Sequence, residues 1–238
     1  MKEIRADLHL HTCLSPCGDN QMQPTAIIEQ AKKAGLDMIG ISDHNSAENV
    51  SAVMKAGKRQ GLAVIPGIEI TSQEEVHILG FFNTEQALMH IQDIIYQNLG
   101  NQNDEEAFGP QLVVDEFDNV VGKNSRLLIG ATNLTIEKII EMIHQWAGLA
   151  IASHIDRQRF SLIGQLGFIP KGLKLDAVEV STPLAAEQKY DYPVITSSDA
   201  HFLEDIGKSC TCFMIEDVSV DEIKKALHNE MGRRIIVR

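Results

Sequence analysis

The chain has 238 residues, 44% of them hydrophobic and 5% aromatic, with a formal net charge of −12. That length suits one well-buried core and approaches the ~250 residues of an α/β barrel. Scarce aromatics argue against a base-stacking surface for single strands, and the acidic balance argues against binding an extended nucleic-acid duplex, which calls for a basic face.

Small anionic substrates stay compatible with this charge, because bound cations would reverse the local sign. No run of about 18 apolar residues occurs, so no membrane span is expected. The opening MKEIRADLHL lacks the apolar stretch of a secretory signal. Cys13, Cys17, Cys210 and Cys212 are therefore expected as reduced thiols of a cytoplasmic protein.

In chain order, strands are predicted over 3–10, 37–42, 62–70, 75–82, 148–153, 176–181 and 193–198. Several are nearly continuous apolar runs, the pattern of parallel strands covered on both faces. Helices are predicted between them. One opens at Pro24 and stops before Gly35. Others cover 46–60, with Ser46 as the cap, then 84–99, 135–146 and about 220–230. In the fourth, Ile136, Ile139, Ile140 and Ile143 share one face. The polar segment at about 100–130 reads as an inserted hairpin or flap turning at Asp118-Asn119. The alternation predicts an α/β fold, organised as a single domain over 1–238.

Metal-compatible side chains gather at the strand ends. In DLHLHT, His9 and His11 stand two residues apart on a strand and face one point. Asp19 follows in the next loop, the second strand runs into Asp43-His44, the third reaches Glu69, the fourth contains His77, the fifth ends at His154 and the seventh ends in the Asp199-Ala200-His201 run. In parallel α/β folds such ends share the rim where active sites lie. Six of the nine histidines lie at these points, whereas His90, His144 and His228 fall inside predicted helices. A catalytic metal takes about three protein ligands plus water, so nine donors fit two or three ions, with Glu69 able to bridge. Mixed imidazole and carboxylate ligands suit Zn, Mn or Fe. Asp7 and Asp43 stand beside proposed ligands as orienting acids, Asp43 alternatively as a helix cap. Glu179 either points to the same rim or faces solvent. Arg157 and Arg159 follow His154, and Arg157 is placed to clamp a phosphate bidentately.

The segments DLHLHT, SDHNS, PGIEIT, EVHILGFF, ASHIDR and SSDAH, spanning 7–201, resemble the polymerase-and-histidinol-phosphatase (PHP) family. The resemblance implies a distorted seven-stranded (β/α) barrel, a trinuclear metal site and hydrolysis of phosphoesters by metal-activated water. It implies a first ion on His9, His11, Glu69 and Asp199. Glu69 would bridge to a second on His77 and His154, and Asp19, His44 and His201 would hold a third. One departure stands out. In many relatives the acid after the first His-x-His comes sooner, in Ser-Asp-Gly. Here SPCGDN intervenes, and Cys17 offers a thiolate, which also binds zinc.

The expected activity is hydrolysis of a small phosphomonoester or of a nucleotide or short oligonucleotide phosphoester, with Glu69, Asp199 and Arg157 at its centre. Two other readings stay open at this point. One is a non-catalytic, metal-stabilised binding module; the other is a hydrolase of an amide or ring.

Overall fold

The computed structural model describes residues 1–181 and 190–236. Its main sheet has nine strands in the order β11-β10-β1-β2-β3-β4-β7-β8-β9. These are β1 (Lys2–Leu10), β2 (Met38–Ile41), β3 (Ala63–Thr71), β4 (His77–Phe81), β7 (Leu149–Ala152), β8 (Ala177–Val180), β9 (Val194–Thr196), β10 (Thr211–Ile215) and β11 (Arg234–Ile236). The count is therefore nine, not the seven implied by the family resemblance; β10 and β11 extend the sheet antiparallel beyond β1. The sheet is curled. The His11 amide donates to the Ala200 carbonyl at 3.0 Å and the Ala200 amide to the His9 carbonyl at 3.1 Å, which brings the chain after β9 onto β1.

A second difference concerns direction. β4 runs antiparallel to both β3 and β7, because only five residues, 72–76, connect β3 to β4, too few for a crossover helix. His77 therefore begins its strand rather than ending it. The reversal still places it on the same rim, directly opposite Thr71 at the end of β3.

Among the described residues the helices α1 (Pro24–Lys33), α2 (Val50–Gln60), α3 (Glu85–Asn98), α5 (Ile136–Gln145) and α6 (Leu162–Leu166) cover the outer face, while α4 (Glu105–Phe108) lies in the insertion and α7 (Val220–Leu227) packs on the other side of the sheet. The isoleucine face expected in α5 is buried, and Thr135 caps the helix by accepting from the Lys138 amide at 3.2 Å. α2 starts at Val50 rather than Ser46. The Ser46 hydroxyl is engaged instead with Tyr96 Oη at 2.7 Å. α2 stops at Gly61, whose φ of 73° is cheap for glycine.

Side-chain alternation builds two apolar layers. Ile68 and Ile70 of β3 and Ala150 and Ala152 of β7 pack outward under the helices. Ile65 of β3, Leu79 and Phe81 of β4, Leu149 and Ile151 of β7, Ala177 of β8 and Ile195 of β9 fill the inner layer, into which α7 also packs. Gly67 leaves room there for the Phe81 ring, which a Cβ would meet at 2.4 Å. Continuing that inward parity toward the rim reaches Glu69, Ser153, Glu179 and His77. The polar site is thus the top of the same stack.

The 99–135 insertion carries a small sheet of β5 (Leu112–Val114) and β6 (Val120–Lys123). It is tied to the rim by buried amides. Asn49 donates to the Leu112 carbonyl at 3.0 Å and accepts from the Val114 amide at 2.9 Å. Asn45 donates to the carbonyls of Leu128 and Gly130 at 2.7 and 2.8 Å.

Candidate metal centre

Six imidazoles and two carboxylates converge on the rim, with Glu69 at the middle. Glu69 Oε1 lies 3.3 Å from His9 Nε2, 3.1 Å from His77 Nδ1 and 3.5 Å from His154 Nε2. Glu69 Oε2 lies 3.0 Å from His44 Nδ1 and 3.5 Å from His11 Nε2. Asp199 Oδ1 lies 3.2 Å from His9 Nε2 and 3.1 Å from His11 Nε2. His201 stacks on His11 with ring centroids 4.2 Å apart. All but Asp199 and His201 are buried.

Sheet geometry sets these positions. Ile4, Ala6 and Leu8 of β1 belong to the inner layer, so strict alternation would put Leu10 there and turn His9 outward. Leu10 instead packs with the outer cluster, and the β1–β2 register shifts between Asp7 and Leu10. Such an irregularity re-aims side chains, and here it turns His9 inward. His154 and Asp199 sit just past strand ends with φ of 25° and 50°, a conformation that costs free energy in non-glycine residues and clusters at functional sites.

Hydrogen bonds behind the ligands fix their tautomers. His9 Nδ1 donates to Glu179 Oε1 at 2.9 Å, which leaves Nε2 as a lone pair aimed at Glu69 and Asp199. Ser15 spends its own hydrogen on Asp43 Oδ1 at 2.7 Å, so its oxygen accepts from His11 Nδ1 at 2.9 Å. His11 Nε2 is then also a lone pair, only 3.2 Å from that of His9. Ser153 donates to Glu69 Oε1 at 2.9 Å. Of the two open readings, Glu179 therefore points inward, and Asp43 supports His11 through Ser15. Asp7 has another task. It accepts from the Ser198 and Gly207 amides at 2.9 Å each and anchors the loop that carries Asp199.

The electrostatics call for positive charge at this point. Burial opposes ionisation of Glu69, yet the imidazoles of His77, His9 and His44 outweigh it and hold the carboxyl well below its usual range. Asp199 is likewise held low against its burial, chiefly by His9 and His11. Burial would lower His9, but Glu179, Asp199 and Glu69 raise it well above the usual imidazole value. Buried Nδ1 atoms of His44, His77 and His154, His77 Nε2 and Glu69 Oε2 make no hydrogen bond within the protein. Unpaired buried donors of this kind are costly unless a ligand satisfies them. Three groups, His9-His11-Asp199, His44-Glu69-His77 and His11-His44-His201, present ligand atoms within 4.8 Å of one another. The donor set thus fits divalent cations.

Asp19 is not among these three groups; its Oδ1 accepts from the Gln21 amide at 2.8 Å, while its own amide donates to the His201 carbonyl. Cys17 occupies the place beside the imidazoles and hydrogen-bonds with His44 and His201. Burial raises its thiol, but the nearby His44 charge and these bonds bring it down to about 6. Arg157 pairs with Asp199 and donates from Nε to Ser181 Oγ at 3.0 Å. Arg157, Arg159, Phe160 and Ile129 line a cavity of about 680 Å³ over the ligands. His144 bonds to Asp176 and His90 packs on Trp146, both away from the centre. All four cysteines are free. Sequence reasoning did not single out Ser15, Ser153, Phe160 or Ile129. The inward parity of Ser153 with Ile151 was the one readable signal.

The family model described as the PHP domain matches residues 7–168, and a PHP-associated model matches 184–230. This chain belongs to the PHP domain family. The phosphoribosyl 1,2-cyclic phosphate 1,2-diphosphodiesterase of Eggerthella lenta is 32% identical over 79 residues, 31% of this chain and 29% of that protein. The chain spans about half or less of the first curated relatives it matches. Endonuclease Q from Pyrococcus furiosus superposes with a TM-score of 0.77 at 23% identity, over 99% of this chain and 58% of that one. A Bifidobacterium adolescentis protein assigned as a metal-dependent phosphoesterase gives a TM-score of 0.61 at 20% identity, over 95% and 96% of the two chains.

One expectation is overturned. The acidic composition was read as excluding an extended duplex. Yet endonuclease Q has been solved with a 27-mer duplex bearing an abasic lesion at its active site, on a fold that matches 98% of this chain and 58% of that one at 22% identity, with a TM-score of 0.72. Net charge averages the whole surface, whereas the field at a metal-binding rim is local. Among the described residues no helix is long and apolar enough to cross a membrane.

Proposed function

We propose that this PHP protein is a hydrolase of phosphoester bonds that works with two or three divalent ions, Zn, Mn or Fe. The substrate is a small phosphomonoester or the phosphoester of a nucleotide or short oligonucleotide. The observation that carries the reading is the convergence of His9, His11, His44, His77, His154 and His201 on Glu69 and Asp199, beneath Arg157. A structural site needs four ligands and no open position; this one offers more donors and a cavity above them.

In this reading Glu69, His9, His11 and Asp199 would hold one ion, Glu69, His77 and His154 a second, and His44 and His201 would serve a third. Bound divalent ions would supply activation of water near neutral pH and neutralisation of phosphoryl charge. The chain's own groups do the rest. Glu179 and Ser15 hold His9 and His11 in the tautomer that presents Nε2. Asp199, held ionised, acts as a ligand and not as a proton donor. Arg157 has donors beyond those spent on Asp199 and Ser181, and these orient a phosphoryl oxygen. Phe160 stacks on His77 at 4.8 Å between centroids and shields its outer face from water.

The test is a substrate panel. Chelated protein is reloaded with Mn or Zn and assayed on phosphomonoesters, phosphodiesters, carboxamides and ring amides. Metal-restored turnover on a phosphoester that Glu69→Gln abolishes supports the assignment. Turnover only on amides, or none on any class with metal fully bound, sinks it.

A further inference from the structure

We infer that Cys17 is a metal ligand, completing with His44 and His201 a thiolate-and-imidazole position that selects zinc. This deepens the reading above and rests on it. Three ring nitrogens of His11, His44 and His201 already lie within 4.8 Å of one another, with His11 and His44 buried. His201 Nδ1 donates to the Asp199 carbonyl at 2.8 Å, so its Nε2 carries the lone pair. His11 Nε2 is a lone pair through Ser15. His44 Nδ1 has no hydrogen bond although His44 is 4% exposed. Cys17, exposed at the rim, lines the same cavity as His44 and His201.

The loop that presents the thiol is built, not draped. The Gly18 amide donates to the Ser15 carbonyl at 2.9 Å, Asp19 to the His201 carbonyl at 2.8 Å, and Cys13 to the Met22 carbonyl at 2.8 Å. A Cβ on Gly18 would lie 2.4 Å from the Thr12 carbonyl oxygen, so the chain passes too close there for any side chain. One oxygen of Asp19, Oδ1, accepts from the Gln21 amide. In this proposal sulfur takes the metal position beside His44 and His201. Sulfur with imidazoles favours zinc over the harder ions suited to the carboxylate-rich positions. Binding releases the thiol proton to solvent and forms one metal–sulfur bond, with no redox change.

The test is cobalt substitution of the full chain, read by absorption spectroscopy beside metal counting. Wild type loaded with Co(II) should show both d–d bands and a thiolate-to-cobalt charge-transfer band in the near ultraviolet. Cys17→Ser should lose the charge-transfer band and one bound ion while keeping the others; Asp19→Asn should keep both. Zinc should also protect Cys17 from alkylation, mapped by mass spectrometry, and chelation should remove that protection. Cobalt bound with d–d bands but no thiolate band overturns the Cys17 assignment alone. A charge-transfer band that survives Cys17→Ser does the same. Failure of the wild type to bind cobalt or zinc at all overturns the metal centre and this inference together.

Discussion

Glu179 and His9 form the buried hinge of the site: His9 Nδ1 donates to Glu179 Oε1 at 2.9 Å, with both side chains at most 2% exposed. The same carboxylate oxygen accepts from the His154 amide at 3.2 Å. One acid therefore sets the tautomer of one ligand and the backbone of another. Loss of such a supporting group costs about 10–100-fold in metal affinity. Glu179→Ala should weaken Mn or Zn binding by that factor in calorimetric titration. Glu179→Gln keeps an acceptor and should recover most of it. Equal affinity in wild type and Glu179→Ala would show that His9 needs no such support.

Arg157 is the group that separates a phosphoesterase from other hydrolases. It reaches Asp199 from the rim, over the open side of the centre. Arg157→Ala should lower kcat/KM on phosphoesters by about 10²-fold, as loss of a preorganised donor does. Metal stoichiometry should stay the same, and Arg157→Lys should recover only part of the activity because the guanidinium fork is lost. Unchanged phosphoester kinetics would remove Arg157 from the substrate site.

Much of this was readable from residue types at strand ends. Spacing by two put His9 with His11, and apolar runs ending in Glu69 or in Ser153-His154 announced the rim. The shift in β1 register was not readable, because a bulge leaves composition untouched; simple alternation from Leu8 would have turned His9 outward. The direction of β4 was hidden for a related reason. An apolar run buried on both faces reads alike whichever way it runs, and only the short 72–76 connection argued for a hairpin. Asp19 sits in a turn where its Oδ1 accepts from the Gln21 amide, a local bond that spacing along the chain does not announce. β10 (Thr211–Ile215) and β11 (Arg234–Ile236) were missed because runs this short carry too little periodicity to separate a strand from any other apolar segment.

The insertion should behave as a wall and not as a mobile flap. Asn49 holds β5 by two backbone contacts and also donates to Thr12 Oγ1 at 2.9 Å, so it links the insertion to the loop after His11. Asn49→Ala leaves the Val114 amide and Leu112 carbonyl without these partners, a loss of about 1–3 kcal/mol locally. Hydrogen exchange at 110–128 should then quicken while the core strands stay protected. Because Ile129 lines the cavity, KM should rise with it. Exchange that is already fast in wild type would contradict the wall.

Far from the centre, Glu222 governs acid stability. It accepts from Arg233 Nε at 3.0 Å, Lys225 Nζ at 2.8 Å and the Glu216 amide at 2.9 Å. The Arg233 and Lys225 hydrogen bonds outweigh burial and hold its carboxyl down to about 2. A carboxyl depressed in the folded state binds protons less tightly there than in the unfolded chain. Its contribution is therefore complete above the ordinary glutamate value near 4.5 and is lost as pH falls toward about 2. Glu222→Gln should lower Tm by a few degrees at pH 7. The gap between variant and wild type should narrow steadily below pH ~4 as the wild-type carboxylate takes up its proton. A gap that stays constant from pH 7 to pH 3 would mean that packing, and not the charge on Glu222, carries the effect.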